Sequence, residues 1–260
     1  MNRVATLLVA FLVLLPLPLG AQTESPSDAP SAVEASEGET AGPAEVLAAF
    51  TRLVDRGEAR PLFGLPQESF WRRTGGLGIA LFADNAAELR PMLEGAAAPF
   101  AEATGLEIAV RETGPLVMPE QDLATLAPEA QLVIIVGSRL ELADIATAGG
   151  FNKGMLARFE LGTWPFMFAF DKDQQRRGVV LLANDEPLRA REAAFILATV
   201  WGLGGVTLGP ELTGLVGDSD SGPVLTPLGR AVFRLLYHED LKVGMPLADA
   251  VQRAKTLLPQ

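Results

Sequence analysis

A short acidic loop in the last quarter of the chain carries the residue types that a calcium site needs. Residues 218–222 read DSDSG, and carboxylate and hydroxyl oxygens are hard ligands that suit Ca²⁺. The spacing departs from an EF-hand, because Gly222 comes one residue too early and Gly229 stands where the bidentate glutamate belongs. The pattern therefore favours a loop without a bound metal.

The same loop offers a serine, Ser219, in a Gly-Asp-Ser run similar to the nucleophile block of some lipases and esterases. A serine nucleophile needs a histidine base that is oriented by an acid. The only histidine is His238, and Leu235 occupies the position three residues before it where such an acid would lie. No Gly-x-Ser-x-Gly elbow, Walker loop or dinucleotide fingerprint occurs in the chain. Nucleophilic catalysis is therefore not predicted.

Thiolate metal sites and zinc sites built from several histidines are also excluded, whereas His238 with the neighbouring Glu239 and Asp240 could bind a metal. One histidine cannot build a multi-histidine zinc site, and the absence of cysteine rules out disulfides and thiolate ligands. His238 lies in a Tyr-His-Glu-Asp turn that we expect to face solvent. What remains is a hydrolase site made of carboxylates, which could draw on five acids: Asp171, Asp173, Glu192, Asp218 and Asp220. Arg191 and Glu192 could line a cleft, although ordinary surface charges are the favoured interpretation.

The amino terminus is typical of an export signal. Arg3 precedes an apolar run over residues 4–19 that is shorter than a spanning helix and contains two prolines, and small residues follow at positions 20 and 21. We expect cleavage after Ala21, giving a periplasmic or secreted protein without a retained membrane span. Residues 22–43, rich in Ser, Pro, Ala and Glu, are expected to form a disordered acidic linker.

The charge of the chain argues against nucleic acid as a partner. The net charge of the full chain is −11. It becomes −12 when Arg3 is removed with the signal, and subtraction of the five linker acids leaves −7 on residues 44–260. A protein or a component of the cell envelope is the expected kind of partner. About 217 residues remain for a single folded domain.

These candidate residues must be positioned by one central helix, predicted over residues 185–205. Asp185 is expected to cap its first turn, Pro187 suits that turn, and the glycines at 202, 204 and 205 permit a left-handed exit. No charge occurs between Ala193 and Trp201, so the helix should be enclosed by the rest of the domain, with only its polar start near water.

The surrounding pattern predicts an α+β domain with a mixed sheet that precedes its main helices. An amphipathic helix over 43–56 comes first, and Asn85 is expected to cap a helix weakened by Pro91 and Gly95. Further predicted elements are listed here in chain order: a strand over the LGIALFA run, strands over 106–111 and 132–137, short helices over 141–148 and 152–159, a hairpin over 164–184 with an aromatic row in the core, a helix capped by Thr226, and a last helix over 246–258.

The carboxyl-terminal part of the chain carries a recognisable set of positions: Leu225, Thr226, Leu236, Tyr237, Leu241, Gly244 and Met245. Together with the FWRR entry to the first strand and the WGLGG helix end, this set resembles the bacterial family called domain of unknown function 2927. The resemblance covers about residues 70–245. That family looks like a distant relative of zincin metalloproteases, so the resemblance implies a zincin-like fold.

In zincins the central helix carries His-Glu-x-x-His, whose two histidines share a helix face and ligate zinc while the glutamate activates water. Resembling family members show a Glu-Glu-x-x-Gln-like run before Leu-Gly-Leu. Aligned on Trp201, the corresponding positions here are Phe195, Ile196 and Thr199, and the family's Asp after the Leu-Thr pair is Gly229. The resemblance thus implies a degenerate motif.

From these observations we expect no catalytic, cofactor-binding or metal-ligating residues and no cofactor. The predicted function is that of an exported, non-catalytic zincin-like scaffold that acts as a binding or envelope-associated accessory protein. A hydrolase with a carboxylate-based site is the alternative.

Overall fold

The computed structural model describes seven stretches of the chain: 41–54, 69–123, 125–150, 166–170, 176–205, 214–219 and 222–259. The helices are α1 (Pro43–Val54), α2 (Ala86–Thr104), α3 (Arg139–Ala148), α4 (Leu188–Leu203), α5 (Pro227–Leu236) and α6 (Leu247–Leu257). The strands are β1 (Leu77–Phe82), β2 (Ile108–Gly114), β3 (Leu132–Gly137), β4 (Phe166–Phe170), β5 (Arg176–Ala183), β6 (Val216–Ser219) and β7 (Gly222–Leu225). All described residues belong to one compact unit, Glu39–Gln260.

The main sheet has five strands in the order β2-β1-β3-β5-β4. Four of them run parallel, and β4 pairs antiparallel with β5 at one edge, with Phe168 opposite Gly178. The strands β6 and β7 form a separate antiparallel pair. The α+β class and the mixed sheet are thus confirmed. The helices α2 and α3 lie between strands because parallel neighbours need a crossover connection, so only α4, α5 and α6 follow the sheet.

The centre of the sheet is β3, which was predicted as a central strand from its continuous apolar run. All six of its residues are buried, because both faces of the sheet are covered. On one face Ile134 packs in the core formed with α1, α2, α4, α5 and α6. On the other face Val133 and Ile135 pack with α3 and the loop that precedes β3.

The helix α4 is enclosed as predicted, since every residue from Ala194 to Leu203 is buried. Its end lies close to the sheet at Gly202, where an added Cβ would come within 2.8 Å of a Leu77 methyl group. The chain leaves the helix at Gly204 with φ of 112°, a left-handed conformation that favours glycine. The predicted left-handed exit is therefore confirmed at Gly204.

Two predicted helix caps are wrong. The residue before α4 is Pro187, and Asp185 instead accepts a hydrogen bond from Arg139 at the start of α3. Asn85 stands directly before α2, yet its side chain makes no capping bond and donates to Glu88. Both polar side chains found partners outside the helix backbone. The cap at Thr226 is confirmed, because its hydroxyl accepts from the amide of Gly229 at 3.0 Å.

The remaining predictions concern the hairpin, the prolines of α2 and membrane-spanning helices. The pairing of β4 with β5 in the predicted hairpin is confirmed. Its turn at 171–175, the short helix over 152–159 and the side chains of the aromatic row lie outside what the structure describes. The helix α2 runs unbroken past Pro91 and Pro99. Within the described ranges, no helix has both the length and the apolar character needed to cross a membrane.

Candidate functional site

The face of α4 that carries Phe195, Ile196 and Thr199 is part of the core. Phe195 and Thr199 are fully buried and Ile196 is 4% exposed. The hydroxyl of Thr199 donates to the carbonyl oxygen of Phe195 at 2.8 Å, so its hydrogen-bonding capacity is used within the helix. Two apolar side chains and an engaged hydroxyl offer no ligand set for a metal, and the residues present do not fit zinc.

The glycine at position 229 has a steric basis. Gly229 lies in the first turn of α5, and a Cβ at this position would overlap the backbone carbonyl oxygen of Leu215. An aspartate here would require the backbone of that segment to move. The glycine therefore belongs to the packing of α5 against the residues before β6.

The carboxyl end of α4 is held by residues from two distant segments, which together we call the α4 end cluster: Arg72, Arg73, Gly202, Leu203 and Tyr237. The Nε–H of Arg73 donates to the carbonyl oxygen of Gly202 at 2.7 Å. The carbonyl of Leu203 accepts from the amide of Arg73 at 3.1 Å and from the hydroxyl of Tyr237 at 2.8 Å. Carbonyls at a helix end lack partners within the helix, and this cluster supplies them.

Electrostatics within the α4 end cluster follow from its burial. Burial raises the pKa of the Tyr237 phenol, and the positive charges of Arg73 and Arg72 offset part of that rise. Burial also lowers the pKa of the Arg72 guanidinium, which lies 5.2 Å from the centre of the Tyr237 ring. Arg73 is 4% exposed and sits over Trp71 at 5.9 Å. A positive charge at this end also suits the helix dipole.

The motifs that carry the family resemblance converge on this region. Phe70 donates its amide to the carbonyl of Met245 at 2.8 Å and accepts at 2.9 Å from the amide of Gly244. Arg72 donates to the carbonyl of Leu236 at 3.4 Å. The FWRR entry, the α4 end and the tail after α5 are thus joined by hydrogen bonds, and their role is to hold the fold together.

A groove of about 390 Å³ lies between α2, α4 and β7. Its lining consists of Pro91, Met92, Gly95, Ala96, Pro99, Leu188, Glu192, Ile196 and Val224. The volume falls within the range of small-molecule sites, roughly 300–1,000 Å³. Glu192 is half-buried and lines this groove. The structure therefore supports the interpretation that Glu192 lines a cleft, and not the favoured prediction that it is an ordinary surface charge.

The remaining sequence candidates do not assemble around this groove. His238 is half-exposed, and its Nδ1 accepts from the amide of Asp240 at 3.2 Å, while Arg253 pairs with Asp240 at 2.9 Å. Asp171, Asp173 and Asp220 lie outside the described residues, and only the backbone of Asp218, within β6, is described. Among the residues that the structure describes, no three His, Asp or Glu side chains group closely enough to hold a metal ion.

Comparison of the chain with protein-family models, with curated proteins and with solved structures gives no match. The functional argument therefore rests on the residues and geometry described above.

Sequence reasoning missed the groove, although a signal for it was present. Pro91, Gly95 and Pro99 recur every four residues along α2, and Leu188 and Ile196 flank Glu192 at the same spacing on α4. Residues spaced by four share a helix face. The proline and glycine positions were interpreted only as weak points of a helix, because the sequence alone does not show that these two faces meet.

Proposed function

We propose that this chain is an exported, zincin-like protein related to the domain of unknown function 2927 family that acts by binding and not by catalysis. The observation that supports this most strongly is the packing of α4, where Phe195 and Thr199 are fully buried at the motif positions. Burying a phenylalanine contributes about 1.5–3 kcal/mol through removal of apolar surface from water. A metal site at this face would sacrifice that contribution.

A binding role is also favoured by the groove beside the same helix. Its apolar walls and single carboxylate are typical of a recognition site, in which a few polar groups orient a ligand. Carboxylate-based hydrolysis of glycans needs two acids at a defined separation, and Glu192 is the only acid among the described residues that line the groove. The geometry therefore favours a binding protein over a hydrolase.

Two measurements on purified protein test this proposal. Incubation with casein and with peptidoglycan should give no hydrolysis above a buffer control. Hydrolysis that persists through purification, and that disappears in an Asp218→Asn, Asp220→Asn double variant, would establish the carboxylate-based enzyme instead. Expression in a bacterium with its native amino terminus should yield an exported protein that begins at Gln22; retention of residues 1–21 would contradict the export proposal.

A further inference from the structure

The groove beside α4 has the shape of a slot between two helical stripes. Three residues of α2, at positions 91, 95 and 99, face three residues of α4, at positions 188, 192 and 196. Eight residues of helix span roughly 12 Å at 1.5 Å per residue. Leu188 is 54% exposed at one side and Ile196 is 4% exposed, so the slot runs from the surface toward the core. It therefore suits an elongated ligand with an apolar body.

The ionisable group described in the slot is a carboxylate, which carries a negative charge. Glu192 is the only ionisable side chain among its described lining residues, and it makes no ion pair or hydrogen bond to any residue in the described part of the chain. A half-buried carboxylate without a partner is stabilised by a cation that brings its own hydrogen-bond donors. The chain's net charge of −11 also favours cations over anions.

A second acceptor lies on the opposite wall. Pro99 is inside α2 and has no N–H, so it cannot give the carbonyl of Gly95 the helical hydrogen bond that another residue at position 99 would supply. Both Gly95 and Pro99 line the slot. The polar groups so identified, one carboxylate and one backbone carbonyl, are acceptors, and an ammonium group carries three donors.

We propose that this groove binds a small molecule with an elongated apolar body and a single ammonium group, with Glu192 as the counter-ion. The inference rests on the binding function proposed above and names its ligand class. The apolar body lies along Leu188, Ile196 and the α2 stripe, and the ammonium group donates to the Glu192 carboxylate. A carboxylate ligand is repelled by Glu192, and a neutral alcohol of the same length lacks the ionic contact.

The test is an NMR titration of the full chain with three six-carbon probes: hexylammonium, 1-hexanol and hexanoate. Hexylammonium should shift the amide signals of Gly95, Glu192 and Val224 saturably, with affinity about tenfold above that of 1-hexanol, and hexanoate should cause no shift. Glu192→Gln should weaken hexylammonium binding about tenfold while leaving 1-hexanol unchanged. Glu94→Gln is the matched control, because Glu94 is an exposed acid on α2 that pairs with Arg90 and does not line the groove.

A variant that fills the groove tests whether the probes bind there, independently of the Glu192 charge. Gly95→Leu should abolish all probe shifts without unfolding the chain, since nothing lies within 4 Å of a Cβ at Gly95. Equal affinity for hexylammonium and 1-hexanol, or unchanged binding in Glu192→Gln, would overturn the proposal. So would groove signals that respond only to protein concentration, which would identify a second copy of the chain as the occupant. Failure of the broader binding function would appear separately, as hydrolysis of casein or peptidoglycan by the same samples.

Discussion

Arg73 and Gly202 are 129 residues apart in the chain, yet the Nε–H of Arg73 lies 2.7 Å from the carbonyl oxygen of Gly202. This contact brings a positive charge to the negative end of the α4 dipole and satisfies a carbonyl that the helix leaves without a partner. The contact joins the FWRR segment to the WGLGG segment and holds the carboxyl end of the central helix.

Replacement of Arg73 by methionine should lower the free energy of unfolding by about 3 kcal/mol. The variant keeps the apolar stem, but leaves a buried carbonyl unsatisfied and removes the charge at the helix end. Urea unfolding followed by circular dichroism measures the loss. The control is Arg111→Met, which removes a half-exposed arginine paired with Glu107 and should change stability by less than about 0.5 kcal/mol. Equal effects of the two substitutions would contradict the structural role of Arg73.

Because the phenol of Tyr237 is buried, we expect the protein to lose stability at alkaline pH. Burial raises the pKa of its phenol above the ordinary value near 10, so the native state keeps a proton that the unfolded chain releases. The stabilising contribution is fully present below about pH 10 and is lost as the pH rises through the folded pKa. The chain contains one tyrosine, so tyrosinate absorbance reports this group directly.

In Tyr237→Phe the decline of unfolding free energy above about pH 10 should be shallower than in the wild type. At neutral pH the variant should lose about 1 kcal/mol, because the hydrogen bond to the Leu203 carbonyl is removed. A native tyrosinate titration with an ordinary midpoint would contradict the burial of this hydroxyl.

Two helical glycines should respond in opposite directions to alanine. Gly95→Ala should raise the unfolding free energy by about 0.5–1 kcal/mol, because the Cβ enters open space and alanine favours helix. Gly229→Ala should lower it by about 3 kcal/mol or more, because the Cβ overlaps the Leu215 carbonyl oxygen. Thermal melts of the two variants compare them directly. A Gly229→Ala variant as stable as wild type would contradict the close approach of this residue to the Leu215 carbonyl oxygen.

Phe195 and Thr199 should behave as core residues. Phe195→Ala should cost about 4 kcal/mol of stability through lost burial and a cavity. Thr199→Val should change stability by less than about 1 kcal/mol, because the Phe195 carbonyl also lies within the helix backbone ladder and the new methyl group meets apolar neighbours. Denaturant unfolding measures both. A large loss in Thr199→Val would indicate a polar role for this residue that the packing does not explain.

Much of the fold could be predicted because its signals are local. The apolar run of β3 and the charge-free stretch of α4 each predict that the element is buried. The cap at Thr226 depends on Gly229, which is only three positions away. The predicted caps at Asp185 and Asn85 are wrong for different reasons. Asp185 bonds Arg139, which is distant in sequence, whereas Asn85 bonds Glu88, a side chain only three residues away.

The candidate site was less predictable than the fold. The absence of metal-ligating residue types at Phe195, Ile196 and Thr199 was visible in the sequence, because it concerns residue types at known spacing on one helix. The groove depends on the meeting of α2 with α4, and the α4 end cluster depends on contacts between Arg73 and residues about 130 positions later. Such relationships are set by packing, which a single sequence does not specify.

The most direct test of the account is the metal content of the purified full chain by mass spectrometry, combined with thermal melts before and after chelation. A metal that binds the native state and not the unfolded chain raises stability, so the melt detects even a weak site. Because Phe195, Ile196 and Thr199 are core residues, we predict no stoichiometric metal and an unchanged melting temperature. About one equivalent of zinc or calcium, with a melting temperature that falls on chelation, would contradict the non-catalytic scaffold.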